Sequence, residues 1–186
     1  MARNFKTPAV YTNLFREKTR AQIADENLSK AIKLPVSLAC VHLCSDSNLG
    51  FLIRAAACFG ASEVLVIGKL PSYRNLRQLS CGMNNYMTIK QFSNPNDFLQ
   101  YNRERDTHIV SLELTKNSVD ITNYEFPLDK KVCIITGNES TGVPSSIIHN
   151  SDCVAIPNPG IAPCMNTSQA ANVALYEYVR QAYRSN

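Results

Sequence analysis

Three short segments of the chain combine apolar runs with side chains that could do chemistry. In the first, which runs from Asn48 to Ala61, Arg54 is the one cation in an otherwise apolar, alanine-rich stretch, and Gly60 is suited to end the helix as its C-cap. An arginine in such a helix can carry its charge to the surface along its aliphatic stem. Its planar set of donors can also orient a phosphate or a developing oxyanion. Arg54 is therefore a candidate for either role, and Ser47 or Asn48 can cap the start of the helix.

The second segment, Ile134–Pro144, is an apolar run that continues into a loop with glycines at both ends, Gly137 and Gly142. Asn138 and Glu139 lie between them. An ordinary strand-to-helix turn would account for this pattern. However, an amide and a carboxylate at the carboxyl end of a strand occupy the place where open α/β sheets bind ligands. The loop is therefore a candidate site.

The third segment, Val154–Ser168, contains an apolar run, a loop with three prolines, and polar residues that open the last helix. Prolines reduce the freedom of the unfolded chain and favour one fixed loop conformation. Either Asn166 or Ser168 can act as the N-cap of that helix.

Other common sites are excluded by their spacing. The seven glycines never form the G-x-G-x-x-G pattern of a dinucleotide site. Gly137 and Gly142 have the outer spacing of a phosphate-binding loop, but Val143-Pro144 replaces the required Lys and Ser/Thr. The three histidines lie far apart and no nucleophile motif accompanies them, which argues against a hydrolase.

The seven cysteines form no C-x-x-C pair and are an odd number, so they are predicted to be reduced thiols. Cys40, His42 and Cys44 alternate on a predicted strand, where packing on one face explains them better than metal binding. No metal is predicted.

The elements that would position these segments follow from hydrophobic spacing. Five apolar runs have the length of buried strands: Val36–Leu43, Glu63–Gly68, His108–Leu112, Lys131–Thr136 and Cys153–Ile156. Amphipathic segments lie between or after them: Asn48–Phe59, Asn96–Arg105, Ser145–Asn150 and Asn166–Arg184. This alternation predicts an α/β fold, with a parallel sheet flanked by helices.

The α/β domain is expected to cover residues 35–186, preceded by a helical extension, residues 1–34, with helical signals from Thr12 to Lys33. In the last helix, an apolar stripe predicts docking on the domain or on a partner subunit. The stripe consists of Ala171, Ala174, Leu175 and Tyr178.

Composition is typical of a folded protein. Of the 186 residues, 45% are hydrophobic and 18% are charged, with a net charge of +4 that would suit a polyanionic partner. Neither a signal core nor a membrane-spanning stretch is recognisable, so a cytoplasmic protein without a membrane partner is expected.

Together, the three segments resemble the signature motifs of the SpoU (TrmH-like) family of RNA 2′-O-ribose methyltransferases, within the SPOUT superfamily. The resemblance covers residues 36–184 and rests on N-x-G-x-x-x-R, then G-N-E-x-x-G, then I-P followed by x-x-N-x-S before an alanine-rich helix. It implies a SPOUT α/β knot, in which the stretch from Gly137 onward threads a preceding loop as a C-terminal trefoil knot. It also implies a homodimer whose active site combines both subunits.

The resemblance assigns residues to roles. The catalytic positions are Arg54, Asn48, Glu139 and Asn166. The cofactor S-adenosyl-L-methionine is expected at Leu112, Gly137, Ile156 and Met165. Cys164 and Ser168 are expected to bind substrate, but the family usually has Ser-Leu-Asn where this chain has Cys164-Met165-Asn166. A thiol is a weaker donor than a hydroxyl, so Cys164 would position substrate less firmly.

The implied reaction methylates a ribose 2′-hydroxyl of structured RNA, and tRNA is the expected substrate. Two alternatives are an rRNA substrate and a weakly active relative that binds RNA. DNA is not an expected partner. Because a guanidinium is a poor base, two roles remain open for Arg54: proton acceptor with help from a substrate phosphate, as the resemblance implies, or stabiliser of a developing alkoxide. Cations predicted to contact RNA phosphates are Arg16, Lys18, Arg20, Arg74 and Arg77, the last two in a loop after Gly68.

Overall fold

The structure, a computed structural model, describes the backbone of residues 20–184 and the side chains of residues 22–184. The chain divides into a unit of residues 1–32 and a unit of residues 33–186. In the first unit, helix α1 covers Arg20–Leu28. The predicted helical stretch begins before the described residues. Arg16, Lys18 and the side chain of Arg20 also lie outside them.

The second unit alternates strands and helices. Their order is β1 (Leu34–Val41), α2 (Asp46–Cys58), β2 (Ala61–Ile67), α3 (Tyr73–Leu79), a short 3₁₀ turn (Met83–Asn85), β3 (Thr88–Phe92), α4 (Pro95–Arg103), β4 (Thr107–Leu112), β5 (Val119–Asp120), β6 (Lys131–Thr136), α5 (Ser145–Ile148), β7 (Asp152–Ala155) and α6 (Thr167–Arg184). The strands form one sheet in the order β3-β2-β1-β6-β4-β7-β5. Every pair in it is parallel, as predicted.

Alternate side chains of each central strand enter two different cores. In β1, Val36, Leu38 and Cys40 face the core that holds α2, α3 and α6. Ala39 and Val41 face the second core, which holds α4 and α5. Helices therefore cover both faces, which explains why the central strands are apolar throughout. The predicted α/β class is confirmed.

The apolar stripe of α6 packs on its own domain. Ala171, Ala174 and Leu175 are 0% exposed and Tyr178 is 1% exposed. The Tyr178 ring also makes an edge contact with Phe126, with 5.4 Å between ring centroids. Of the two predicted docking partners, the domain is the one observed, and this stripe is not free to bind a second subunit.

Helix α2 begins earlier than predicted. Its N-cap is Ser45, whose side chain accepts a hydrogen bond from the Ser47 N–H, so neither Ser47 nor Asn48 caps it. The predicted end is confirmed, because Gly60 follows the helix with φ of 71°.

Three elements were missed by the sequence patterns. Strand β3 exposes most of its side chains and β5 has two residues, so neither forms an apolar run. Helix α3 buries only Leu76, so it has no apolar stripe, although Ser72 caps it. Arg74 and Arg77 therefore lie on a helix, and their predicted placement in a loop is wrong.

The predicted strand that carries Cys40, His42 and Cys44 is also shorter than expected. Strand β1 ends at Val41, and His42 takes a left-handed conformation with φ of 38°. Cys40 is buried and Cys44 is exposed, so the three do not share a face. Within residues 22–184, no three His, Cys, Asp or Glu side chains are grouped closely enough to hold a metal ion. No helix of the described chain could span a membrane.

Candidate active site

The carboxyl ends of β1 and β6 form the crevice of the sheet. From β1 the chain continues outward through β2 and β3, whereas β6 pairs with the opposite edge of β1. Helix α2 then packs on one face and α5 on the other. Such a switch in direction separates the two loops and is where open α/β sheets bind ligands. The first two sequence segments meet at this place.

The loop after β6 is closed on itself and tied to β1. The Asn138 and Gly142 backbones exchange two hydrogen bonds, and Asn138 Oδ1 accepts from the N–H groups of Ser140 and Thr141. Asn138 Nδ2 donates to the His42 carbonyl after β1. The loop is thus held in one shape by its own polar groups.

Gly137 permits the two sides of this loop to approach. A Cβ on Gly137 would lie 2.2 Å from the Gly142 carbonyl carbon and 2.4 Å from the Val143 nitrogen. Backbone atoms cannot yield at such distances, so a side chain here would separate the two sides of the loop. The glycine is required by packing.

Residues of all three sequence segments form one hydrogen-bonded network. Asn48 Nδ2 donates to Glu139 Oε1 over 2.5 Å. Asn166 Nδ2 donates to Asn48 Oδ1 over 3.1 Å. Ser168 Oγ donates to Asn166 Oδ1 over 2.7 Å and approaches Asn48 Oδ1 at 3.4 Å. Three predicted catalytic residues, Asn48, Glu139 and Asn166, are thus brought together.

Asn166 also caps helix α6. Its Oδ1 accepts from the N–H groups of Ser168 at 2.9 Å and Gln169 at 3.3 Å, which satisfies free donors of the first turn. Of the two candidate caps, Asn166 is the one observed. One side chain therefore fixes both the start of α6 and the position of Asn48.

Glu139 is held as a carboxylate. Partial burial acts to raise the pKa of Glu139, but hydrogen bonds from the backbone N–H groups of Cys44 and of Glu139 itself, from the Asn48 amide and from the Cys44 thiol act together to lower it. The net effect is a lowered pKa. Glu139 Oε2 accepts from the Cys44 N–H at 2.7 Å, so this carboxylate ties β1 to β6 as well as holding Asn48.

A groove of about 1290 Å³ extends from this network along the carboxyl ends of β4, β6 and β7. All four predicted cofactor residues line it: Leu112, Gly137, Ile156 and Met165. Glu139, Cys164 and Asn166 line it as well, so the network stands in its wall. The groove therefore gathers the cofactor and catalytic positions into one site.

Comparison with known proteins identifies the family to which this geometry belongs. The profile of the SpoU rRNA Methylase family matches residues 35–176. The chain belongs to the SpoU family. The resemblance drawn from the three segments is confirmed. The predicted activity is confirmed at the level of the family, which is one of RNA methylases.

Two curated relatives of the SpoU chain are tRNA (guanosine(18)-2′-O)-methyltransferases. The chain is 33% identical to the mouse protein TARBP1 over 140 residues, which cover 73% of this chain and 9% of the mouse protein. It is 25% identical to the enzyme of Escherichia coli K12 over 162 residues, which cover 87% of this chain and 69% of that enzyme. A solved rRNA methyltransferase from Sinorhizobium meliloti, with AdoMet bound, has a TM-score of 0.71 and 26% identity, over 78% of this chain and 56% of that one.

In the SpoU chain, Arg54 stands apart from the network. It is exposed on α2, between buried Ile53 and Ala55. Within the described residues, it makes no hydrogen bond or ion pair. One chain by itself therefore does not bring Arg54 to Asn48 and Glu139.

The predicted substrate residues of the SpoU chain divide into two groups. Cys164 is exposed in the groove wall. Ser168 is 4% exposed and bonds only within the network, so it positions Asn48 and Asn166 instead of facing the groove. Arg74 and Arg77 are exposed on α3, outside the groove.

Glu113 is a site residue that the sequence patterns missed. Its Oε1 accepts from the Leu114 N–H at 3.0 Å and its Oε2 accepts from the Val143 N–H at 2.8 Å. The carboxylate thus ties the loop after β4 to the loop after β6, on the wall of the groove. A carboxylate just after the predicted strand His108–Leu112 was the available signal, since the same rule singled out Glu139.

Proposed function

We propose that this SpoU chain transfers a methyl group from S-adenosylmethionine to a ribose 2′-hydroxyl of structured RNA. One observation carries the proposal: Asn48, Glu139 and Asn166 form a single network in the wall of the groove that Leu112, Gly137, Ile156 and Met165 line. The matching family is named for rRNA methylases, and the mouse and E. coli relatives are tRNA 2′-O-methyltransferases.

The groove fits S-adenosylmethionine by its charge. Its lining holds three carboxylates, Glu113, Asp120 and Glu139, and no Lys or Arg among the described residues. A nucleotide with phosphates would be repelled there, whereas a sulfonium cation would be attracted. The neutral parts of the cofactor would lie against Leu112, Ile156 and Met165. When bound, the cofactor supplies an activated methyl group.

The protein's own task is to align the acceptor hydroxyl and to manage its proton. Asn48 and Asn166 present amides whose orientation is fixed by Glu139 and Ser168. Arg54 is free to meet RNA, since the described residues leave its guanidinium unpaired. We assign Arg54 to the ribose oxygen and an adjacent phosphate, where its planar donors stabilise developing negative charge.

A homodimer would bring Arg54 to a groove. Helices α2 and α6 expose a second apolar face: Phe51 is 51% exposed, Val173 37% and Tyr176 56%. Phe59 and Tyr176 join the two helices by an edge contact, with 6.1 Å between ring centroids. Arg54 follows Phe51 by three residues and so lies on the same side of α2. Pairing of this face with its twofold copy would place Arg54 at the subunit boundary.

The favoured substrate is tRNA, because the mouse and E. coli relatives carry that specificity in their names, whereas other curated relatives are 23S rRNA methyltransferases. The S. meliloti neighbour is an rRNA methyltransferase, which keeps rRNA as the alternative. A reducing compartment such as the cytoplasm would suit the seven free cysteines.

The experiment is methyl transfer from tritiated S-adenosylmethionine to bulk tRNA and to rRNA, both taken from cells that lack this protein. We expect label in tRNA, recovered after digestion as a 2′-O-methylated nucleoside. Label in rRNA alone would select the alternative substrate, and label on a base would contradict ribose chemistry. Cofactor and RNA binding without transfer would identify a weakly active RNA-binding relative.

A further inference from the structure

Helix α3 presents exposed cations and an exposed aromatic ring on one side of the domain. We infer that this α3 surface, made of Lys69, Tyr73, Arg74 and Arg77, docks the sugar-phosphate backbone of the RNA substrate beside the methylation site. The inference rests on the proposed function and adds to it the place where RNA is held.

The charge of the chain is concentrated around this surface. Residues 64–96 contain four cations, Lys69, Arg74, Arg77 and Lys90, and no Asp or Glu. The remaining residues hold 15 cations and 15 anions, so the net charge of +4 belongs to this one stretch. Lys90 lies over the Tyr101 ring, with 3.9 Å from Nζ to the centroid, which leaves the other three cations for the α3 surface.

The three cations are free to bind. Lys69, Arg74 and Arg77 are exposed, and none of them makes an ion pair within the described residues. Arg74 and Arg77 are three residues apart on the helix, and Tyr73 and Arg77 are four apart, so they share one side. An unpaired basic side with a ring beside it suits phosphates and stacked bases.

The aromatic ring is held in place before RNA arrives. Tyr73 is 64% exposed, and its hydroxyl donates to Asn85 Oδ1 over 2.7 Å. The end of the helix is fixed as well, since the N–H of Gly82 donates to the Arg77 carbonyl at 2.8 Å and that of Cys81 donates to the Gln78 carbonyl at 3.2 Å. A base could stack on this ring without first ordering the surface.

The α3 surface lies close to the methylation site. Helix α3 follows β2, so it starts at the same sheet edge as the loops after β1 and β6. Gly50 of α2 packs directly on α3, since a Cβ there would lie 2.6 Å from Leu79 Cβ. Asn48 is two residues before Gly50, about 3 Å along the same helix. RNA on the α3 surface would therefore be held by the helix that packs on α2 within one turn of Asn48.

The test compares two triple variants of the full chain with equal loss of charge. The first is Lys69→Gln/Arg74→Gln/Arg77→Gln. The control is Arg103→Gln/Lys130→Gln/Lys131→Gln, at exposed cations near the amino ends of the strands, on the opposite edge of the sheet. Binding to bulk tRNA is measured at several salt concentrations, with cofactor affinity and thermal midpoint as checks of folding.

We expect the α3 variant to bind tRNA at least about tenfold more weakly, with a salt dependence reduced by about two to three ions, while cofactor affinity stays near wild type. The control should change tRNA affinity by less than about threefold. Equal weakening in both variants would show that only net charge matters and would overturn the proposed surface.

Tyr73→Leu tests the contribution of the aromatic ring separately from that of the charge. Loss of stacking should weaken tRNA binding by about tenfold while leaving the salt dependence unchanged. If the wild type methylates RNA but the α3 triple variant does so with an unchanged KM for RNA, the docking surface is refuted and the proposed function stands. If the wild type methylates no RNA, the proposed function fails first.

Discussion

The side-chain amide of Asn48 donates to Glu139 Oε1 over 2.5 Å and so joins two motifs that are 91 residues apart in the chain. Because its Nδ2 is directed at a carboxylate, its Oδ1 must point to the other side, where the Asn166 amide donates to it and the Ser168 hydroxyl lies 3.4 Å away. If the Asn48 amide were flipped, its Nδ2 would face the Asn166 Nδ2 and its Oδ1 would face the Glu139 carboxylate. Glu139 therefore determines which way the amide faces.

Replacement of Glu139 by glutamine should weaken this network in a pH-dependent way. The new NH₂ group would face a donor, either the Asn48 amide or the Cys44 N–H. Because the folded pKa of Glu139 is lowered, its contribution to stability is present above the ordinary Glu value of about 4.3 and is lost as the pH falls through the folded pKa. We expect Glu139→Gln to lower the thermal midpoint at pH 7, by a difference from wild type that shrinks as the pH falls through the folded pKa. A constant difference across this range, measured by calorimetry, would contradict it.

Substitution of Arg54 by lysine separates a surface cation from a residue that acts on substrate. Lysine keeps the charge and a long stem, so a surface role would leave methyl transfer nearly unchanged. It lacks the planar set of donors, so we expect transfer to fall by about 100-fold or more, nearly as far as in Arg54→Ala. Single-turnover rates measure this, with unchanged cofactor affinity and thermal midpoint as controls.

Gly142→Ala should lower the free energy of unfolding more than Gly82→Ala. Both glycines have positive φ, 68° and 83°, so both variants bear about 1–2 kcal/mol of backbone strain. A Cβ on Gly82 meets nothing within 4 Å, whereas one on Gly142 would lie 2.3 Å from Glu113 Oε2. Displacing Glu113 leaves the buried Val143 N–H unpaired, at a further cost of about 1–3 kcal/mol. Urea unfolding compares the two variants. Equal decreases in the free energy of unfolding would show that the contact from Glu113 to the Val143 N–H does not stabilise the fold.

The isolated protein should bind S-adenosylmethionine without RNA, because the groove is already formed. The three carboxylates of its lining should make this binding weaker in high salt. S-adenosylhomocysteine lacks the sulfonium charge, so its binding should respond less to salt. Calorimetry between low and high salt measures both. No binding at millimolar cofactor, or the same salt response for the two ligands, would contradict the charge argument.

Charge on the second apolar face of α6 should break the homodimer. We expect sedimentation to find a dimer of the wild type at micromolar concentration and a monomer of Val173→Glu/Tyr176→Glu, with methyl transfer lost. Tyr183→Glu is the matched control, since Tyr183 is 62% exposed on the same helix. A wild-type monomer with full activity would exclude a shared active site.

Apolar spacing was sufficient to predict the central sheet and the faces of its long helices. Strand β6 has the predicted bounds, Lys131–Thr136, because its buried run ends sharply at Gly137. Helix α3 was missed because polar residues surround its only buried side chain, Leu76. Strand β3 was missed for a similar reason. Elements that bury little leave little pattern in a sequence.

The site was predictable where a motif marks it and unpredictable where only the fold assembles it. The family resemblance was enough to name Asn48, Glu139 and Asn166, but their hydrogen bonds depend on how three loops meet. The tie from Glu113 to Val143 crosses 30 residues and two strands, so no local pattern reports it. The stripe on α6 was recognised, but which surface would cover it required the fold.

The hydrogen bonds around Asn48 join residues that are far apart in the chain. Asn166 reaches Asn48 across 118 residues, and Ser168 reaches it across 120. During synthesis, the loops after β1 and β6 emerge before α6, so Asn48 is made well before its partners Asn166 and Ser168. Until then the amide lacks its second anchor and the groove lacks one wall. The site is therefore completed only when α6 has docked, so its assembly follows that of the strands and loops that carry Asn48 and Glu139.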